Sequence, residues 1–99
     1  MAQSDRDRIH DVVELTPTTV LEVAERTASA TSFADYIYRE SEIDALWSLA
    51  DIAATRPQPG TDPEHFAQIR DRLQEAHDLL PDQQGEQAAE ILREVAGRL

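Results

Sequence analysis

The sequence contains no cysteine and no lysine, and it has only three glycines and five aromatic residues. Without cysteine the chain forms no disulfide, uses no thiolate nucleophile and binds no zinc through sulfur. The lack of cysteine also fits a cytoplasmic protein, which is the location we predict. No apolar run approaches the roughly 18 residues that span a bilayer. The start, MAQSDRDRIHD, lacks the basic and apolar parts of a signal peptide, so no membrane association is expected.

Acidic residues outnumber basic ones by 20 to 9, which gives a formal net charge of −11. This balance disfavours direct binding to nucleic-acid phosphates, because that binding requires a basic face. Three explanations of the acidity stay open. They are a GC-rich genome that favours arginine codons, a salt-adapted protein whose carboxylates are screened, and a surface that imitates nucleic acid to occupy a basic protein.

Helix signals are frequent in the sequence, whereas strand signals are scarce. Ser or Thr followed three residues later by Asp or Glu recurs, for example at Ser32/Asp35 and Thr61/Glu64, and this spacing is typical of capping boxes. A chain of 99 residues is long enough for one domain and too short for two. We therefore expect a single all-α domain over residues 1–99, a compact bundle of four or five helices that run mainly antiparallel.

Apolar spacing predicts helices over residues 5–15, 17–28, 33–55, 63–80 and 83–98. Thr16 and Pro17 suit the start of the second of these, whereas TRPQPGTDP cannot continue a helix. Glu40 separates two apolar patches of the third predicted helix, which indicates a bend or a break near Ser41. Gly85 weakens the first turn of the last predicted helix by about 1 kcal/mol relative to Ala, which favours a later start.

The predicted core consists of the apolar residues that recur at spacings of three and four. Its members are Val12, Val20, Ala24, Ile37, Ile43, Leu46, Trp47, Ala50, Phe66, Ile69, Leu73, Leu80, Ile91, Leu92 and Val95.

Candidate metal ligands are few. His65 and His77 are twelve residues apart on one predicted helix, about 18 Å along its axis, so they cannot share an ion. Asp7, His10 and Glu14 share one helical line and could supply ligands to zinc or manganese. Such lines arise by chance in an acidic chain, so we predict no metal and no cofactor. The sequence also has no nucleophile elbow and no glycine-rich phosphate loop, so we predict no enzymatic activity.

Four of the five aromatic residues lie within fifteen positions, at Phe33, Tyr36, Tyr38 and Trp47. They could simply fill the core beside the predicted helix 63–80. However, Tyr36 and Tyr38 point about 200° apart on a helix and cannot both be buried by one neighbour. We therefore predict an interface in which Tyr36, Tyr38 and Trp47 are the anchors.

The sequence thus favours a non-catalytic protein–protein interaction module, which either self-associates as a homodimer or docks on a protein partner. An acidic decoy for a nucleic-acid-binding protein and a divalent-metal-binding bundle are the alternatives. Residues 20–40 also have the length of a helix-turn-helix motif. The predicted helix 33–55 would then be the recognition helix, and its first turns carry Asp35, Glu40 and Glu42 against a single arginine, which is the wrong charge for DNA.

Overall fold

The computed structural model describes residues 14–99, which fold as a compact all-α unit without strands in that range. Four helices follow one another, and they are α1 (Pro17–Ala28), α2 (Phe33–Thr55), α3 (Pro63–Leu79) and α4 (Gly85–Arg98). The predicted helix 5–15 lies outside the described residues except for Glu14 and Leu15, which are not helical. The predicted direction of the helices, mainly antiparallel, stays a prediction.

Local capping explains where the first three helices begin. Thr16 accepts a hydrogen bond from the amide of Thr19 at 3.2 Å, and Pro17 follows at the first helical position, as predicted. A capping box at Ser32 begins α2, also as predicted. At α3 the cap is Asp62, whose carboxylate accepts from the amides of Glu64 and His65, and not the predicted Thr61. Aspartate is as good a cap as threonine, and it stands directly before the helical Pro63.

The helix α2 continues through Ser41, so a break there is wrong, whereas a bend stays a prediction. A bend or break was predicted because Glu40 separates two apolar patches. In the structure Glu40 is half-buried, so the unbroken helix leaves it partly exposed to solvent. The acidic residue that enters the interior is Glu42, and two arginines neutralise it there.

The core lies where α1, α2, α3 and α4 meet, and most of its predicted members are buried. The confirmed members are Val20, Ala24, Ile43, Leu46, Ala50, Ile69, Leu73, Leu80, Leu92 and Val95. Trp47, Phe66 and Ile91 are half-buried and pack against this core. Ile37 is a wrong prediction, because its side chain is 45% exposed. Val12 lies outside the described residues.

The helices do not simply pack on their neighbours in the chain. The main contacts join α1 to α4, α2 to α3 and α3 to α4, whereas α1 and α2 touch much less. No helix within residues 14–99 is both long and apolar enough to cross a bilayer.

Gly85 allows the close approach of α4 to the end of α1. It is buried, and a Cβ atom at this position would lie 2.5 Å from the carbonyl oxygen of Thr27. Thr27 is itself buried, and its hydroxyl donates to the carbonyl of Val23 at 2.7 Å. As expected, α4 begins later than Gln83, but Gly85 is its first residue and has a packing role that propensity alone does not indicate.

We predict opposite effects for alanine at two glycines of α4. Gly85→Ala should lower the free energy of unfolding by about 1–3 kcal/mol, because the backbone of Thr27 must move. Gly97→Ala is the matched control, since no atom lies within 4 Å of its Cβ position. It should raise the free energy of unfolding by up to about 1 kcal/mol through helix propensity. Urea unfolding measures the free energy of unfolding of both variants. A gain in stability for both would contradict the close approach of Gly85 to the backbone of Thr27.

Candidate functional site

An open apolar groove lies between the first turns of α2 and the segment that follows α3. Its volume is about 460 Å³, and it is lined by Phe33, Tyr36, Ile37, Glu40, Leu80, Pro81 and Gln83. Phe33 is 75% exposed and Ile37 is 45% exposed. Within residues 14–99 only Leu21 and Ile52 are comparably exposed large apolar side chains, and neither lines the groove. Adjacent exposed apolar side chains mark interaction surfaces more often than isolated ones do.

A tight turn after α3 forms one wall of the groove. Pro81 has no amide hydrogen and follows the last residues of the helix, which it cannot continue. Gln83 has a positive φ of 58°, an unusual backbone conformation for a residue other than glycine. The hydroxyl of Tyr36 donates to the carbonyl of Gln83 at 3.1 Å, so α2 and the turn are joined directly. The buried Leu80 lies beneath them.

The other wall is fixed by the capping box at the start of α2. The carboxylate of Asp35 accepts from the amides of Thr31 and Ser32, each at 3.2 Å. In return the amide of Asp35 donates to the hydroxyl of Ser32 at 3.1 Å. The hydrogen bonds from Thr31 and then from Ser32 lower the pKa of Asp35 below its usual 3.8. The capping box determines where α2 begins and therefore where Phe33 lies.

A buried ion cluster holds the middle of α2 against α1. The side chain of Glu42 is completely buried, and its carboxylate accepts from the Nε of Arg26 at 3.1 Å. Arg39, one helical turn earlier on α2, pairs with the same carboxylate and is only 7% exposed. Sequence reasoning missed this cluster because it considered Glu42 only as a negative charge unsuited to DNA. A signal was present, since Arg39 and Glu42 share the spacing of the core residue Leu46.

The structure separates the three predicted interface residues. Tyr36 lines the groove, whereas Tyr38 and Trp47 do not. Both are half-buried, and Trp47 packs against the core. Their role as anchors stays a prediction.

Phe33 and Ile37 join Tyr36 in the groove, and neither was predicted as a site residue. Ile37 was assigned to the core by its spacing alone. No pattern in the sequence indicated that Phe33, directly after the cap residue Ser32, is exposed.

Arginines interrupt the acidic surface formed by α2, α3 and α4. Arg70 on α3 pairs with Asp51 on α2 at 2.8 Å. Arg72 on α3 donates through its Nε to Glu94 on α4 at 2.9 Å, and it also pairs with Glu75. The carboxylates of these helices are therefore partly neutralised by cations that lie among them.

The predicted metal candidates are not brought together within the described residues. Asp7 and His10 lie outside them, and Glu14 is exposed. His65 lies 3.0 Å from the carbonyl oxygen of Arg98, and His77 lies 3.7 Å from the carboxylate of Asp78. Between residues 14 and 99 no group of three or more histidine, aspartate or glutamate side chains is placed to hold a metal ion.

No protein-family model matches the sequence, and no match was found among the curated proteins or the solved structures. The functional proposal therefore depends on the groove and on the charges around it.

We predict that Glu42→Gln lowers the free energy of unfolding by about 2–4 kcal/mol, because it leaves two arginines beside a neutral amide. This range lies below the largest values for broken buried pairs, since the side chain of Arg26 is 29% exposed. Glu40→Gln is the matched control on the same helix and should change stability by about 0.5 kcal/mol or less. Equal losses in urea unfolding would show that Glu42 is not held by the cluster.

A pH-dependent contribution is predicted for Asp35. Because its pKa is lower in the folded chain than the usual 3.8, its ionised form stabilises the fold above that value. This stability is lost as the pH falls through the lower, folded pKa. The stability difference between wild type and Asp35→Asn, measured by urea unfolding from neutral to acidic pH, should therefore shrink below 3.8. Asp44→Asn, at an exposed position of α2, is the control. A stability difference between wild type and Asp35→Asn that grows in acid would contradict the lowered pKa of Asp35.

Proposed function

We propose that the protein is a non-catalytic helical interaction module, a mainly antiparallel bundle that binds another polypeptide through its apolar groove. The observation that carries this proposal is the exposure of Phe33 and Ile37 beside the half-buried Tyr36. Burying one large apolar side chain stabilises a complex by about 1.5–3 kcal/mol before other costs, so two adjacent exposed side chains can contribute to the binding of a partner. The absence of cysteine supports a cytoplasmic setting.

The proposed anchors are Phe33, Tyr36 and Ile37. The hydroxyl of Tyr36 is already satisfied by Gln83, so its ring can be covered by a partner without leaving that polar group unpaired. Tyr38 and Trp47 are proposed only as peripheral contacts, because each is half-buried and outside the groove.

Self-association through the same groove is the other form of this proposal. A net charge of −11 opposes the approach of two copies in dilute buffer. Added salt shortens the Debye length from about 10 Å at 0.1 M to about 3 Å at 1 M, so a homodimer should strengthen with salt. Light scattering at these two concentrations separates a homodimer from a module that needs a different partner.

The two alternatives have less support. A nucleic-acid decoy requires a continuous carboxylate face on α2 and α3, whereas Arg70 on α3 pairs with Asp51 on α2 within that face. A metal-binding bundle would depend on Asp7 and His10, which lie outside the described residues.

Peptides selected without bias test the proposed function. A displayed library of random peptides is selected on the wild-type protein, and the selected peptides are then measured on two variants. The double variant Phe33→Ala/Ile37→Ala should bind them at least about tenfold more weakly, because it removes the central apolar contacts. Ile52→Ala is the matched control, since Ile52 is 53% exposed on the same helix but does not line the groove.

The affinity for Ile52→Ala should equal that for wild type. Because the replaced side chains are exposed, all three proteins should unfold at closely similar urea concentrations, and this is measured first. Failure to enrich any peptide from the library, or equal binding to both variants, would contradict the groove as the binding surface.

A further inference from the structure

The groove carries negative charge at its rim. Of the seven residues that line it, Glu40 is the one with a charge, and no ion pair joins Glu40 to a residue within 14–99. The exposed Asp82 stands between the lining residues Pro81 and Gln83. Arg39, which directly precedes Glu40, is buried with Glu42. A partner at this rim therefore meets carboxylates and no arginine from the lining residues.

The carboxyl end of α3 adds to the same charge. A helix ends with roughly half a negative elementary charge, which its last carbonyl groups carry. Amides of the following turn satisfy two of these carbonyls, since Gln83 donates to Leu80 at 2.9 Å and Gln84 donates to Leu79 at 3.1 Å. Pro81 lies in the groove and has no amide hydrogen to donate. Leu80 and Pro81 place this helix end at the groove, and what remains of its dipole has the same sign as the charge of Glu40.

The apolar part of the groove has the spacing of a helix face. Phe33 and Ile37 are four residues apart on α2, one helical turn, with Tyr36 beside them. An amphipathic helix binds such a surface through large apolar side chains that recur at three and four positions. The groove is open and extends over about two turns of α2, so it suits the face of a helix.

The proposed function assigns a polypeptide to this groove, and on that basis we propose that the occupant is a cationic amphipathic helical segment of another protein. Its apolar stripe covers Phe33, Tyr36 and Ile37, and its flanking Arg or Lys side chains face Glu40 and the end of α3. A second copy of this chain is disfavoured as the occupant. It has 20 acidic residues and only 9 arginines, so it would be repelled by the acidic rim.

Two designed peptides of about 16 residues test the sign of the charge, a length at which a helix begins to form in water. The cationic probe has a stripe of Leu and Phe flanked by Lys, and its twin has Glu in place of every Lys. Fluorescence anisotropy measures their binding to the wild-type protein in about 0.1 M salt. The cationic probe should bind at least about tenfold more tightly than its twin.

Charge reversal on the protein completes the test. Glu40→Lys should weaken binding of the cationic probe about threefold to tenfold and should strengthen binding of the twin. Glu22→Lys makes the same charge change at an exposed position of α1 outside the groove, and it should have a clearly smaller effect. The double variant Phe33→Ala/Ile37→Ala should weaken binding of the cationic probe at least about tenfold, whereas Ile52→Ala should leave its binding unchanged.

The possible failures are distinguishable. Equal binding of the two peptides, or equal effects of Glu40→Lys and Glu22→Lys, would overturn the cationic partner. If neither designed peptide binds but the library peptides require Phe33 and Ile37, the cationic partner is excluded while the proposed function stands. If the wild-type protein forms a dimer and the double variant Phe33→Ala/Ile37→Ala is a monomer, the occupant of the groove is a second copy of this chain and not a separate partner.

Discussion

The burial of the Glu42 carboxylate is the constraint around which this fold is arranged. A carboxylate without water or a counter-ion is too costly to keep inside a protein. Arg26 supplies a counter-ion from α1 and Arg39 supplies one from α2 itself. The three charges lie where α1 and α2 meet, and these two helices otherwise touch little. The cluster therefore fixes how α2 lies against α1, a role that apolar contacts have at the larger interfaces.

The groove follows from this arrangement. The ion cluster and the core residues after it hold the centre of α2, while α1 packs mainly on α4. Phe33 and Ile37, on the turns before the cluster, are left without a covering helix. The turn after α3 is joined to α2 by the hydrogen bond from Tyr36 to Gln83, and the opening between them has an apolar wall and an acidic rim.

Helix limits were predictable from the sequence because they depend on neighbouring residues, as at Thr16 with Pro17 and at Ser32 with Asp35. Most of the core was also predictable, because apolar residues spaced by three and four along one helix share the face that is buried. The break at Ser41 and the burial of Ile37 were wrong, because they depend on which other helix covers each turn. Glu42 and Gly85 depend on partners distant in the chain, namely Arg26 and Thr27. The groove joins Tyr36 to Gln83, which are 47 positions apart, and no local pattern indicates that contact.

The central claim is that the groove, and not the acidic surface as a whole, receives the partner. The most direct measurement follows the backbone amide signals of the isotope-labelled protein by NMR while the cationic amphipathic peptide is added. If the groove is the docking surface, the shifts should concentrate in residues 33–40 and 80–84, and the carboxylate-rich middle of α3 should change little. Shifts spread along the acidic faces of α3 and α4, with residues 33–40 unchanged, would contradict the claim and favour a diffuse electrostatic contact.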